Sequence, residues 1–166
     1  MKKTLALVTA LAASSLVMAE EQTSSDLANN LYIGGTLSHN MVDSAFGDGS
    51  LDAPGYGLFL GYKLNDEMPD IDTSLEIGYS QTDEFFDGKN NEINGIWVAA
   101  VGEKRLPEIS PKVSVLARLG LDVGDDDGIL MGAGMGLHPS ERIALRAEYL
   151  NKDSSSVMQL SAVINF

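Results

Sequence analysis

The 166-residue chain contains no cysteine, so neither a disulfide nor a thiolate metal ligand can hold it together. Positive charge is scarce. Eleven Lys and Arg stand against 24 Asp and Glu, a formal charge of −13, and a chain of that balance repels nucleic acid. Long apolar runs are missing as well. Beyond residue 19 the nearest is "IWVAAV" at 96–101, far short of the ~20 residues that a membrane-spanning helix needs. A helical membrane protein is therefore excluded.

What is present begins with "MKKTLALVTALAASSLVMAEE". Two lysines, an apolar run from Leu5 to Val17 and small residues up to Ala19 have the layout of a cleavable secretory signal. A retained N-terminal anchor is the alternative. Removing residues 1–19 takes away Lys2 and Lys3 and leaves nine cations against 24 acids, a charge of −15. An exported chain without cysteine must draw its stability from sheet closure or packing. Residues 20–30, "EEQTSSDLANN", show no periodicity and read as a polar tether.

From Leu31 onward one unit recurs: eight to eleven residues alternating with period two, then a stretch rich in Gly, Asp, Asn, Ser or Pro. "LYIGGTLS", "YGLFLGYKL", "SLEIGYS", "INGIWVAAVGEK", "KVSVLARLGLD", "ILMGAGMGL", "IALRAEYL" and "VMQLSAVINF" make eight strands over 31–166. The fourth is apolar on both phases, which leaves the facing of Trp97 open. Long acidic connections follow strands one and three, and tighter proline-containing ones, "RLPEISP" and "HPSE", follow strands four and six. Loops on one rim and turns on the other suit an even-stranded up-and-down barrel.

Alternation alone does not say which side is dry, since a soluble barrel binding an apolar ligand reads the same way. The second phase decides it. In a water-facing sheet that phase should be rich in Lys and Glu, but here it is mostly Gly, Ser, Thr and Ala. Its charges include Lys63, Glu76, Arg118, Asp122, Arg146 and Glu148. Glu76, Arg118 and Arg146 fall near the middle of their strands and would share one height inside an eight-stranded barrel, where opposite charges can satisfy one another; Glu148 joins them in the expected interior network. On the apolar phase, Tyr56, Tyr79 and Tyr149 lie toward the loop ends, and Tyr62 and Phe166 toward the turn ends. Two such aromatic belts suit the two interfaces of a bilayer. In a closed barrel the last strand pairs with the first and has no free edge, as lipid demands.

These features resemble the small outer-membrane barrels of the OmpA transmembrane-domain and OmpX/Ail/opacity-protein type, over roughly Leu31 to Phe166. The resemblance implies an eight-stranded antiparallel transmembrane β-barrel, monomeric and non-enzymatic, in the outer membrane of a Gram-negative envelope. It also implies that Leu160, Ala162, Ile164 and the terminal Phe166 form the signal read by the barrel-assembly machinery after a periplasmic chaperone has escorted the chain. Lipid and lipopolysaccharide would be its surroundings, and no cofactor is called for.

Three chemistries compete with a purely structural role. His138 and Ser140, with Glu148 downstream, invite comparison with a lipid A deacylase that uses a His, a Ser and an acid. The segment sits at a periplasmic turn, however, two strands follow it, and Glu148 should point into the lumen. Asp125, Asp126 and Asp127 offer oxygen ligands to a hard cation, but three consecutive aspartates cannot all face one ion. A narrow pore is opposed by the side chains that fill an eight-stranded lumen.

Overall fold

The computed structural model describes residues 29–43, 50–64, 70–83, 93–125, 127–153 and 155–166, leaving aside the side chains of 42, 43, 50 and 51. The proposed signal segment, most of the tether and Asp126 lie outside the described residues. Eight strands follow one another: β1 (Leu31–Asp43), β2 (Ser50–Lys63), β3 (Asp72–Thr82), β4 (Asn94–Arg105), β5 (Val113–Gly124), β6 (Gly128–Ser140), β7 (Ile143–Asn151) and β8 (Ser155–Asn165). Each pairs antiparallel with its neighbour, and β8 returns to β1 through a register running from Tyr32↔Asn165 to Val42↔Ser155. Closure leaves no edge. Phe166 N–H adds a last bond to Leu31 carbonyl at 3.3 Å, so the chain end is tied into the wall.

The period-two pattern becomes two surfaces. Leu37, Leu58, Leu119 and Leu160 are each more than 60 % exposed on the outside, whereas Glu76, Arg118, Arg146 and Glu148 are each 6 % exposed or less on the inside. An uninterrupted apolar girdle of this kind would be an aggregation surface in water and is a solvated surface in lipid. The soluble alternative, with its Leu and Ile phase enclosed, does not match this facing.

The fourth strand takes one facing throughout. Trp97, Ala99, Val101 and Glu103 are buried inward, while Ile96, Val98 and Ala100 are exposed outward. The choice follows from packing. Trp97 stacks at 5.8 Å on Phe59, Phe59 meets Tyr32 edge-on at 6.3 Å, and the three rings fill one side of the lumen. They fit because their neighbours have no side chain. A Cβ on Gly78 would fall inside the Trp97 ring and one on Gly61 inside the Tyr32 ring.

Two boundaries differ from the sequence reading. "HPSE" is not a turn opening β7, since His138, Pro139 and Ser140 continue β6 and only Glu141 and Arg142 form the connection. The register skips between Leu137 and Ser140. Proline has no N–H to give to the ladder, and a bulge is where a sheet accommodates it. Secondly, the β1–β2 hairpin continues well past the segments read as strands, pairing as far as Asp43↔Ser50. Tyr56 therefore lies midway along β2 rather than near its loop end.

Candidate functional site

The interior is the chemically distinctive part of the molecule. Strands β3 and β5 each carry one charged residue at mid-length on the inward phase, Glu76 and Arg118, and β7 carries two, Arg146 and Glu148; closure of the barrel brings these across the lumen to one another. Arg118 Nη1 lies 2.6 Å from Glu76 Oε2, an ionic contact without good hydrogen-bond alignment. Its Nε and Nη2 donate to Glu148 Oε2 and Oε1 at 2.8 and 3.1 Å, a bidentate fork. Arg146 Nη1 donates to Glu76 Oε1 at 2.7 Å. The four residues that the sequence nominated as an interior network are thus in direct contact.

The network extends further than the nomination. Arg146 Nη2 donates to Glu103 Oε2 at 3.1 Å, and Glu103 Oε1 is 2.6 Å from both Ser114 Oγ and His138 Nε2. The Tyr32 hydroxyl donates to Glu76 Oε1 at 2.7 Å and lies 2.8 Å from Ser74 Oγ. Both guanidiniums also lean on rings: Arg118 Cζ is 5.1 Å from the Trp97 centroid, and Arg146 Cζ is 5.5 Å from that of Tyr32. That Glu103 and His138 belong to the interior network is not legible in the sequence, for a local reason. β4 is apolar on both phases, so nothing marked Glu103 as inward, and His138, which shares the inward phase of Gly132, Gly134 and Gly136, reads in the sequence as part of a turn.

Toward the loop rim the lumen holds a second pair, Lys152 Nζ to Asp122 Oδ2 at 2.6 Å. Between the two charged levels Phe59, Trp97, Leu130, Leu150 and Val157 form an apolar layer, all of them buried. The glycine phase of β6 does not open a gap, because Leu150, Glu148 and Ser114 occupy the space in front of Gly132, Gly134 and Gly136.

The hydrolase geometry fails on several counts. Ser140 is exposed at the rim, and Glu148 is committed to Arg118. The serine that His138 does meet is Ser114, at 3.0 Å, but that residue is fully buried. Moreover, His138 uses the same nitrogen toward both Ser114 and Glu103, whereas a triad needs the acid on the opposite nitrogen. Among the described residues no group of three or more His, Cys, Asp or Glu could hold a metal ion. Asp125 instead accepts from the Asn94 backbone N–H at 3.1 Å.

Of the aromatic-belt residues, Tyr56, Tyr79, Tyr149 and Phe166 are exposed on the outer surface, and Tyr62 is half-buried on the same phase. Leu160, Ala162, Ile164 and Phe166 form the outward face of β8.

Comparison with known proteins agrees with this architecture. No curated protein matches the chain in sequence. Among solved structures, neisserial surface protein A (NspA) aligns with 82 % of this chain and 97 % of its own, at 15 % identity and a TM-score of 0.55. The attachment invasion locus protein Ail of Yersinia pestis aligns with 81 % of this chain and 95 % of its own, at 17 % identity and a TM-score of 0.54. A de novo designed transmembrane β-barrel is similar at 17 % identity and a TM-score of 0.57, over 83 % of this chain and 96 % of its own. At such identities the likeness is one of fold. The family model for the outer membrane protein beta-barrel domain matches residues 5–162, and the chain belongs to that family as an integral barrel of the outer membrane.

Proposed function

We propose that the protein is a non-enzymatic structural barrel that contributes to envelope integrity and offers its surface loops to partners outside the cell. The observation that carries this reading is the filled lumen: the Arg118–Glu76 pair has side chains 1 % and 0 % exposed, and an apolar layer lies above it. Such an interior, among the described residues, would supply rigidity and would disfavour both a solute path and a nucleophile open to substrate. Assembly would proceed through a periplasmic chaperone and the barrel-assembly machinery reading Leu160, Ala162, Ile164 and Phe166, with the monomer set in lipid and lipopolysaccharide. Ail has been crystallised with the heparin analogue sucrose octasulfate. The described loop rim here carries exposed Asp52, Asp83, Asp125, Asp127 and Asp153, which disfavours a polyanionic ligand.

The test is reconstitution into liposomes followed by a swelling assay with small sugars, together with detergent sensitivity of a deletion strain. Vesicles that swell no faster than protein-free ones, and a sensitised strain, support the reading. Solute-dependent swelling would replace it with a pore.

A further inference from the structure

The interior network leaves cations over at one end of the lumen. At the turn rim the inward phase of β2 ends on Lys63 and that of β4 on Arg105. Lys112 and Arg142 share this phase, each opposite an inward residue: the His138 N–H donates to the Lys112 carbonyl at 2.8 Å, and the Asn165 N–H to the Arg142 carbonyl at 2.9 Å. Lys63 is half-buried and within electrostatic range of Arg105 and Arg146 as well as of Asp72 and Glu103. Glu103 is already engaged by Arg146, Ser114 and His138, and Asp72 is exposed. Among the described residues Lys63, Lys112 and Arg142 form no side-chain ion pair, and Arg105 reaches only the Pro111 carbonyl, at 3.4 Å. Like charges gathered at one mouth repel until an anion comes between them. At the opposite mouth Lys152 is paired with Asp122.

The chain itself brings acids to this place. Leu31 pairs with Tyr62, the residue before Lys63, and Tyr32 pairs with Asn165, the partner of Arg142. Residues 20–30 therefore enter β1 between Lys63 and Arg142. They include Glu20, Glu21 and Asp26, and no lysine or arginine occurs between Lys3 and Lys63. Asn29 and Asn30 do not prolong the strand. Both are helical, and Asn30 is half-buried and has an interaction partner, so the chain turns at the rim. Even fully extended, Asp26 lies within about 17 Å of Leu31, and Glu20 within about 37 Å. An eight-stranded mouth is only as wide as the side chains that fill it, which puts the cations in reach. Attachment to the barrel also gives these acids an effective concentration on the order of millimolar.

We propose that residues 20–30 fold back over the turn-side mouth of the lumen, where Glu20, Glu21 and Asp26 pair with Lys63, Arg105 and Arg142. The segment is then a cover for the interior and not only a tether. Beneath it lie Glu103 and His138, whose side chains, at 9 % exposure, are the most open of the buried network.

The test is a distance measurement by electron spin resonance on the full chain purified from outer membranes, labelled at Ser25→Cys and at the exposed Ile109→Cys on the β4–β5 turn. The chain has no native cysteine to compete for label, and a boiling-dependent gel shift first shows each variant to be folded. At low salt one narrow distance peak is expected. Lys63→Gln/Arg105→Gln should lose most of it, and so should Glu20→Gln/Glu21→Gln/Asp26→Asn, with no further loss when the two sets are combined. Lys63→Arg/Arg105→Lys should keep the peak, and salt at about 1 M should abolish it by screening. A broad distribution at low salt in the otherwise unchanged chain, or a narrow peak that survives Lys63→Gln/Arg105→Gln, would overturn the proposal. Loss of the peak on adding inorganic pyrophosphate at micromolar concentration and constant ionic strength would assign the mouth to a free anion, and overturn it equally.

Discussion

Replacing Arg118 by leucine isolates the interior network most sharply. Both hydrogen bonds that Glu148 accepts from side chains come from Arg118, through Nε and Nη2 at 2.8 and 3.1 Å. Glu76 is better supplied, keeping Arg146 Nη1 and the Tyr32 hydroxyl, each at 2.7 Å. The substitution therefore strands one buried carboxylate and weakens a second. Breaking a buried pair from one side costs about 3–5 kcal/mol. Arg146→Leu should cost less, about 1.5–3 kcal/mol, because each carboxylate it leaves keeps another partner: Glu76 has Arg118, and Glu103 has Ser114 and His138. The decisive comparison is Arg118→Leu/Glu148→Leu, which removes both members of the fork and should recover at least half of the loss, since an apolar pair carries no stranded charge. Equilibrium unfolding by guanidinium in lipid vesicles measures all three. A cost below about 1 kcal/mol for Arg118→Leu, or a double variant no better than the single, would refute the assignment of the network as the interior's main constraint.

Gly78→Ala should destabilise the barrel by about 1–3 kcal/mol, because its Cβ would fall on Trp97 and meet Phe59 Cβ at 2.8 Å, and the effect should shrink in a Trp97→Ala background, where only the Phe59 contact remains. Ser161→Ala should change stability by less than about 1 kcal/mol, since the buried Ser161 Oγ has no hydrogen-bond partner among the described residues. Leu119→Arg, at mid-length on the outer face of β5, should cost about 2–4 kcal/mol in lipid vesicles, and a soluble, unperturbed variant would argue against a lipid-facing wall.

Much of the fold was legible because a β-barrel writes its two solvents directly into a period of two. Where the phases differ in polarity, as in "SLEIGYS" or "KVSVLARLGLD", facing could be read residue by residue, and Glu76 and Arg118 fell into place. In "INGIWVAAVGEK" both phases are apolar, because the inward side packs Trp97 and Ala99 into the apolar cluster and buries Val101 while the outward side meets lipid. Polarity then carries no information, and Glu103 was lost with the strand. The interior aromatic cluster was hidden for a related reason. Tyr32 and Phe59 sit on a phase otherwise made of glycine and small residues, and only the register shows that Gly61 and Gly78 make room for the rings. The β6 bulge could not be anticipated from "HPSE", since a proline serves a turn and a bulge equally well.

If the interior is sealed and the apolar phase faces lipid, the single tryptophan of the chain reports on both. Trp97 is 8 % exposed and points into the lumen, whereas its neighbour Val98 points outward. The measurement is tryptophan fluorescence of the folded barrel in vesicles whose acyl chains carry bromine, which quenches on contact. Trp97 should keep its emission, and Trp97→Phe/Val98→Trp should lose most of it. Strong quenching of Trp97 with little quenching at position 98 would mean that the wall is turned the other way.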